Sequence, residues 1–145
     1  MNRFMKTAIA AGVGVVVATA AFAAEITFRR QVVGQLLEIA QTVEHANYDL
    51  VSHRVEILKR NTRMALNISL QKGKDYVIAA VCDSDCDAIR LSLYDENGNL
   101  IDKDGNGDRL AVKVSPAWNG QFRVVVDMTG CSEKECHAGV AAFKR

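Results

Sequence analysis

Proline, aromatic residues and an excess of charge of either sign are scarce in this sequence. One proline and 6% aromatic residues occur among 145, and the formal net charge is +1. A near-neutral chain has no general electrostatic attraction for nucleic acid, which argues against a nucleic-acid function. Hydrophobic and charged contents of 49% and 24% are ordinary for a globular protein. The length predicts one domain with a substantial core.

The sequence also lacks an apolar run long enough for a membrane span. Ala8 to Ala21 is uncharged, but about 20 residues are needed to cross a bilayer. Arg3 and Lys6 precede this run, and Ala21-Phe22-Ala23 follows with the small residues that signal peptidase requires. We therefore predict a signal peptide over 1–23 and export to the periplasm or the extracellular space. A retained membrane anchor is the alternative.

Cleavage would leave 16 basic and 17 acidic residues, with no stable membrane span, and would keep all four cysteines. An even number of cysteines in an exported chain indicates two disulfides. Zinc binding by four thiolates is the alternative that a cytosolic location would favour. Four cysteines allow three pairings; we favour the two local ones, Cys82–Cys86 and Cys131–Cys136, each closing a loop at a strand end.

The segment from Phe28 to His45 has the period of an amphipathic helix, with Thr27 as a suitable N-cap. Its apolar residues recur every three or four positions, at Phe28, Val32, Leu36, Ala40 and Val43. Two interpretations remain open: the helix packs on its own domain, or it docks a partner or mediates self-association.

From Thr62 onward the apolar period changes to two, which predicts half-buried strands. Residues 46–60 are ambiguous, and a loop followed by a short strand is the preferred interpretation. Tyr76 to Val81 is apolar on both faces, which is typical of a central strand. About six strands with no intervening helix predict a mainly β fold, an antiparallel jelly-roll-like sandwich preceded by one amphipathic N-terminal α-helix. The predicted divisions are signal peptide 1–23, helix and connector 24–50, and sandwich 51–145.

From about residue 55 to 145 the sequence resembles the bacterial pre-peptidase C-terminal domain. The matching segments are Leu70-Gln71-Lys72-Gly73-Lys74-Asp75-Tyr76, Ile89 to Gly98, and Trp118-Asn119-Gly120-Gln121-Phe122-Arg123-Val124. The resemblance implies a small secreted jelly-roll-like sandwich that aids targeting, attachment or maturation, and some relatives bind calcium. This chain differs because it has two cysteine pairs and no catalytic domain beside it.

Two acidic segments are candidate calcium ligands, because calcium takes six to eight oxygen ligands and alternate residues of a tight loop can supply several. The first set is Asp83, Asp85 and Asp87, and the second, predicted to be a Gly-rich loop, is Asp102, Asp104, Asn106 and Asp108. An EF-hand is excluded, because Lys113 stands where the bidentate glutamate would be. Aspartate, asparagine and glycine are also ordinary turn formers, and this second interpretation is preferred.

Catalytic arrangements are sparse, and we predict that the protein is not an enzyme. No nucleophile-elbow, zinc-protease or phosphate-binding motif is present. His137 follows Cys136 and is interpreted as a loop residue, and Ser52 next to His53 does not align a nucleophile with a base. Trp118, beside the turn at Asn119-Gly120, is the candidate for an exposed ligand face.

These observations predict a non-enzymatic exported binding or accessory module for an unknown protein or surface polymer. The main alternative is a helix-mediated assembly subunit of a cell-surface or periplasmic complex, and a small secreted enzyme or inhibitor ranks below it.

Overall fold

A computed structural model describes residues 6–145, with side chains from residue 23 onward. Within these described residues, one helix is followed by eight strands. Their bounds are α1 (Lys6–Glu44), β1 (Asp49–Leu58), β2 (Arg63–Leu70), β3 (Tyr76–Cys82), β4 (Cys86–Tyr94), β5 (Leu100–Gly107), β6 (Arg109–Val114), β7 (Gly120–Cys131) and β8 (Cys136–Lys144).

The strands form two four-stranded antiparallel sheets. The first, in the order β1-β8-β3-β6, carries the helix and is called the helix-side sheet; the second, β2-β7-β4-β5, is called the open sheet. Strand pairs β1–β8, β2–β7, β3–β6 and β4–β5 are those of one long hairpin wound into two layers, which is a jelly roll. The predicted mainly β, jelly-roll-like sandwich with an N-terminal helix is therefore confirmed.

The core lies between the two sheets and follows from the alternation in the sequence. Met64, Ile68 and Leu70 of β2 point inward, as do Phe122 and Val124 of β7. All seven residues of β3 are buried, because one face of this strand lines the core and the other lies under α1. The prediction of a central strand from Tyr76 to Val81 is confirmed.

The apolar face of α1 packs on the outer surface of the helix-side sheet. Val32 and Leu36 are buried against Ala79 and Ala141, whose small side chains let the helix approach closely. Gly139 is the closest point, since a Cβ atom there would lie 2.6 Å from Cγ1 of Val32. The interpretation of this helix as one that packs on its own domain is confirmed.

The helix differs from its prediction at the N-terminal end. It begins at Lys6, so Thr27 is not an N-cap; the Thr27 hydroxyl instead donates a hydrogen bond to the carbonyl oxygen of Ala23, 2.9 Å away. The predicted signal peptide lies outside the described side chains except for Ala23, and its first five residues lie outside the described chain. Within the described residues, no helix is long and apolar enough to cross a membrane.

Two segments of the predicted sheet need correction. The ambiguous stretch at 46–60 contains a short turn and then β1, a ten-residue strand and not a short one. The segment Asp102–Asp108 is not a loop, because most of it forms β5. Pairing with β4 overrides the turn preference of its aspartate, asparagine and glycine residues. The β4–β5 ladder is irregular and contains two register shifts.

Candidate ligand-binding surfaces

The two disulfides lie together at one end of the sandwich. The favoured pairing is confirmed, with Cys82 bonded to Cys86 and Cys131 bonded to Cys136. Cys86 is opposite Cys131 in the β4–β7 register, so the two closed loops are neighbours. The zinc alternative is not what the structure shows, because all four sulfurs are used in disulfides.

Asp83 is a buried carboxylate that joins these two loops. Its Oδ2 accepts a hydrogen bond from the backbone amide of His137 at 2.6 Å and lies 3.3 Å from the Nδ1 atom of the same residue. Its Oδ1 accepts from the amide of Asp85 at 3.1 Å. The interpretation of His137 as a loop residue is wrong: it is a buried residue of β8 that stacks on Phe28 of α1.

Helix α1 is fixed to this end of the sandwich by two glutamines. The Oε1 atom of Gln31 accepts from the amide of Ser84, and the Nε2 atom of Gln35 donates to the carbonyl oxygen of Cys82, both at 3.0 Å. The first disulfide loop therefore positions the helix as well as closing a strand end.

The acidic residues proposed as calcium ligands are placed in several different environments. Asp85 is half-buried and Asp87 is exposed, while Asp104 points towards β6 and accepts from the amide of Ala111 at 3.2 Å. The remaining members, Asp102, Asn106 and Asp108, are exposed. Within the described residues, no three histidine, cysteine, aspartate or glutamate side chains are arranged to hold a metal ion. Calcium binding stays a prediction.

Apart from the disulfide end of the sandwich, the outer face of the open sheet carries a polar surface that the sequence did not single out. Outward side chains of β2, β7 and β4 form three parallel rows across the sheet. In that strand order, the rows are Arg63, Asp127 and Arg90; then Ala65, Val125 and Ser92; then Asn67, Arg123 and Tyr94.

The middle row is made of small side chains between two rows of long ones, which creates a depression. Two adjoining cavities of about 530 and 620 Å³ meet at Tyr94, one towards β2 and β7 and the other towards β5. Lys103 of β5 is opposite Ser92 and extends the middle row. We call this surface the arginine hollow, defined by Arg63, Arg90 and Arg123 around Tyr94.

The arginine hollow contains two arginines that no described residue neutralises through an ion pair. Asp127 is paired with Arg63, with 3.0 Å between Oδ1 and Nε, whereas Arg90 and Arg123 form no ion pair among the described residues. The stem of Arg90 lies over Gly105, where the absence of a side chain leaves room for it. Two guanidinium groups are therefore available to a ligand.

Acidic residues also occur at one end of the hollow, in the β4–β5 turn. The Asp95 carboxylate accepts hydrogen bonds from the backbone amides of Asn97 and Asn99, both at 2.9 Å. The amide of Asn99 is the main cause that lowers the pKa of Asp95 below its ordinary value. This carboxylate is used by the turn, and Glu96 beside it is exposed.

Trp118 lies on the turn between β6 and β7. Its side chain is 40% exposed, and its ring stacks on Phe122 with 5.7 Å between centroids. The expectation of an exposed tryptophan agrees with this position, but its role in a ligand face stays a prediction.

A third surface is apolar and follows the seam between α1 and β1. Val33 and Leu37 of the helix and Leu50 of the strand remain exposed beside a cavity of about 450 Å³. We call it the helix groove. His53 and Arg54 contribute polar groups to its lining.

Sequence reasoning missed the arginine hollow because its residues are the polar half of ordinary alternating strands. Arg90, Ser92 and Tyr94 alternate with buried residues, as do Gln121 and Arg123. The available signal was arginine on the polar face of three strands, but only the register shows that these arginines lie on neighbouring positions.

No protein-family model matches the chain, and no curated protein matches its sequence significantly. Its structure is similar to that of Aeromonas hydrophila PliG, a periplasmic lysozyme inhibitor of g-type lysozyme, with a TM-score of 0.49 and 8% identity over 65% of this chain and 85% of that one.

Another similar structure is PirA, with a TM-score of 0.38 and 10% identity over 65% of this chain and 95% of that one. A third is a de novo designed double-stranded β-helix, with a TM-score of 0.37 and 8% identity over 63% of this chain and 99% of that one. Similarity at this level assigns neither a family nor a function. The resemblance to pre-peptidase C-terminal domains stays a prediction.

Proposed function

We propose that the protein is an exported, non-enzymatic binding module that holds its ligand on the outer face of the open sheet. One observation carries this proposal: Arg90 and Arg123 stand without ion-pair partners among the described residues, around a hollow with a floor of small side chains. Side chains on paired strands are held in fixed relative positions, which favours binding by a preformed surface. Two disulfides are consistent with export.

A combined glycan and peptide array tests the proposal. The matched probes are the wild-type protein and an Ala65→Trp variant, because Ala65 is half-buried and paired with Val125 of the cavity lining, so a large ring there would cover the β2 side of the hollow. We expect at least one class of ligand that the wild type retains and the variant loses, with unchanged thermal melting. Ligands bound equally by both proteins, or no ligand at all, would contradict the proposal.

A second candidate function is self-association through the helix groove, because its exposed helical stripe is complementary to itself. Arg30, Val33, Leu37 and Glu44 lie within one narrow face of α1 at helical spacing. A two-fold axis at Leu37 would place Arg30 of one copy opposite Glu44 of the other, which is the arrangement that a symmetric dimer needs.

Sedimentation equilibrium of the wild type and a Leu37→Glu variant tests this alternative. We expect a concentration-dependent dimer that the substitution abolishes. Leu100→Glu is the matched control, because Leu100 is a similarly exposed leucine on β5, in the other sheet. A wild type that remains monomeric throughout would rule the alternative out.

A further inference from the structure

The arginine hollow specifies the chemical class of its ligand. Resting on the proposed function above, we propose that it binds a carboxylated saccharide chain, with the Arg90 and Arg123 guanidinium groups holding carboxylates and the polar side chains around them holding hydroxyl groups.

The two unpaired arginines give the hollow a local preference for an anion, while Asp95, Glu96 and Asp104 in the same lining balance its overall charge. Arg90 and Arg123 lie on adjacent strands, one residue row on either side of the Ser92–Val125 pair. Lys103 lies across from Ser92 on β5, and the Asp127 carboxylate is already shared with Arg63. A planar guanidinium fork matches a carboxylate with two parallel hydrogen bonds, so arginine favours this group at both positions.

The uncharged lining selects for a hydroxyl-rich chain over an acidic peptide. Asn67, Gln121 and Tyr94 surround the hollow with both donors and acceptors. Protein partners are generally held by aromatic or aliphatic anchors in desolvated pockets. Among the described residues, most large exposed apolar side chains lie on α1 and β1, and only Leu100 lines this surface.

The length of the hollow fits a chain better than a single small anion. Strands in a sheet are about 4.8 Å apart, so the four strands β2, β7, β4 and β5 extend the surface over roughly 15 Å. Both cavities are open depressions that meet at Tyr94. Arg90 and Arg123 are four residues apart along the paired strands, about 13 Å, so a chain that lies diagonally over β4 and β7 can contact both unpaired arginines at once.

Titration calorimetry with carboxymethyl-dextran, with unmodified dextran as the uncharged chain of the same backbone, tests the inference. We expect the wild-type protein to bind only the carboxylated polymer. Its affinity should fall as the salt concentration rises, because the contacts include exposed charges. Arg90→Gln and Arg123→Gln should each weaken binding roughly tenfold or more, since each removes a charge-assisted pair. Lys113→Gln is the matched control for net charge, because Lys113 is an exposed residue of β6 in the other sheet, and it should leave the affinity unchanged.

Each other result overturns the inference in a distinguishable way. Equal weakening by all three substitutions would mean that net charge and not the hollow attracts the polymer. Arginine-dependent binding of poly-glutamate or dextran sulfate without binding of carboxymethyl-dextran would replace the ligand class and leave the proposed function standing. An array ligand whose binding is abolished by Ala65→Trp but unchanged by Arg90→Gln and Arg123→Gln would also overturn the ligand class and leave the proposed function standing. If no ligand depends on the hollow, the inference and the proposed function fail together.

Discussion

The contact between α1 and the helix-side sheet can be tested at Gly139. An alanine Cβ at this position would lie 2.6 Å from Cγ1 of Val32 and 3.0 Å from Cδ1 of Leu36. Gly139 has no positive φ, so the backbone itself accepts alanine and the clash alone sets the sign. Overpacking of a close-packed site costs about 1–3 kcal/mol, while alanine recovers about 0.4–1 kcal/mol through the unfolded chain. We expect Gly139→Ala to lower the free energy of unfolding by about 1–2 kcal/mol.

A double-mutant cycle with Val32 makes this prediction sharper. Val32 is fully buried, and Val32→Ala alone removes two methyl groups and leaves a small cavity, which costs about 2 kcal/mol. In the double variant, the new methyl group at position 139 occupies part of that cavity. We therefore expect the double variant to be more stable than the sum of the single effects by about 1–2 kcal/mol.

Urea denaturation of the four proteins measures the cycle, and the slopes with urea should be equal if the folded states are alike. Gly34→Ala is the control for a glycine-to-alanine change, because nothing lies within 4 Å of a Cβ atom there. In a helix interior this control should stabilise the protein by about 1 kcal/mol. Additivity of Gly139→Ala and Val32→Ala within about 0.5 kcal/mol would refute the packing described here.

Two further predictions concern the loops. Replacing both Cys82 and Cys86 by serine should lower the free energy of unfolding by about 2 kcal/mol, as expected for so short a loop, and should speed amide exchange in α1 near Gln31 and Gln35, which form hydrogen bonds to this loop. The matched replacement of Cys131 and Cys136 should lower the free energy of unfolding by a similar amount with a smaller effect on exchange in the helix. Equal exchange rates in both variants would contradict the role of the first loop in positioning α1. The pKa of Asp95 is lowered mainly by its bond from the Asn99 amide, so its ionised form stabilises the fold above its ordinary pKa of 3.8 and loses this effect as the pH falls through the lowered value. The stability difference between wild type and Asp95→Asn should therefore shrink in acid, and a difference that is constant from pH 7 to below pH 3 would contradict this role.

Much of the sandwich could be predicted because strand alternation is a local property. The inward residues of β2 and β7 were evident from their period of two, and the local disulfide pairing agreed with cysteines at strand ends. The helix period from Phe28 to Val43 likewise indicated which face would be buried. The least accurate predictions were at β5 and at His137, where pairing with β4 and the carboxylate of Asp83 decide the conformation.

By itself, the sequence determined the β-rich class, the buried face of the helix and the composition that argues against nucleic-acid binding. Only the tertiary structure decided that Arg63, Arg90 and Arg123, each on a different strand, share one surface. The reason is physical: alternation fixes on which side of a strand a residue points, whereas the register between strands distant in sequence depends on how the whole hairpin winds. A ligand surface built across strands is therefore not visible until that winding is known.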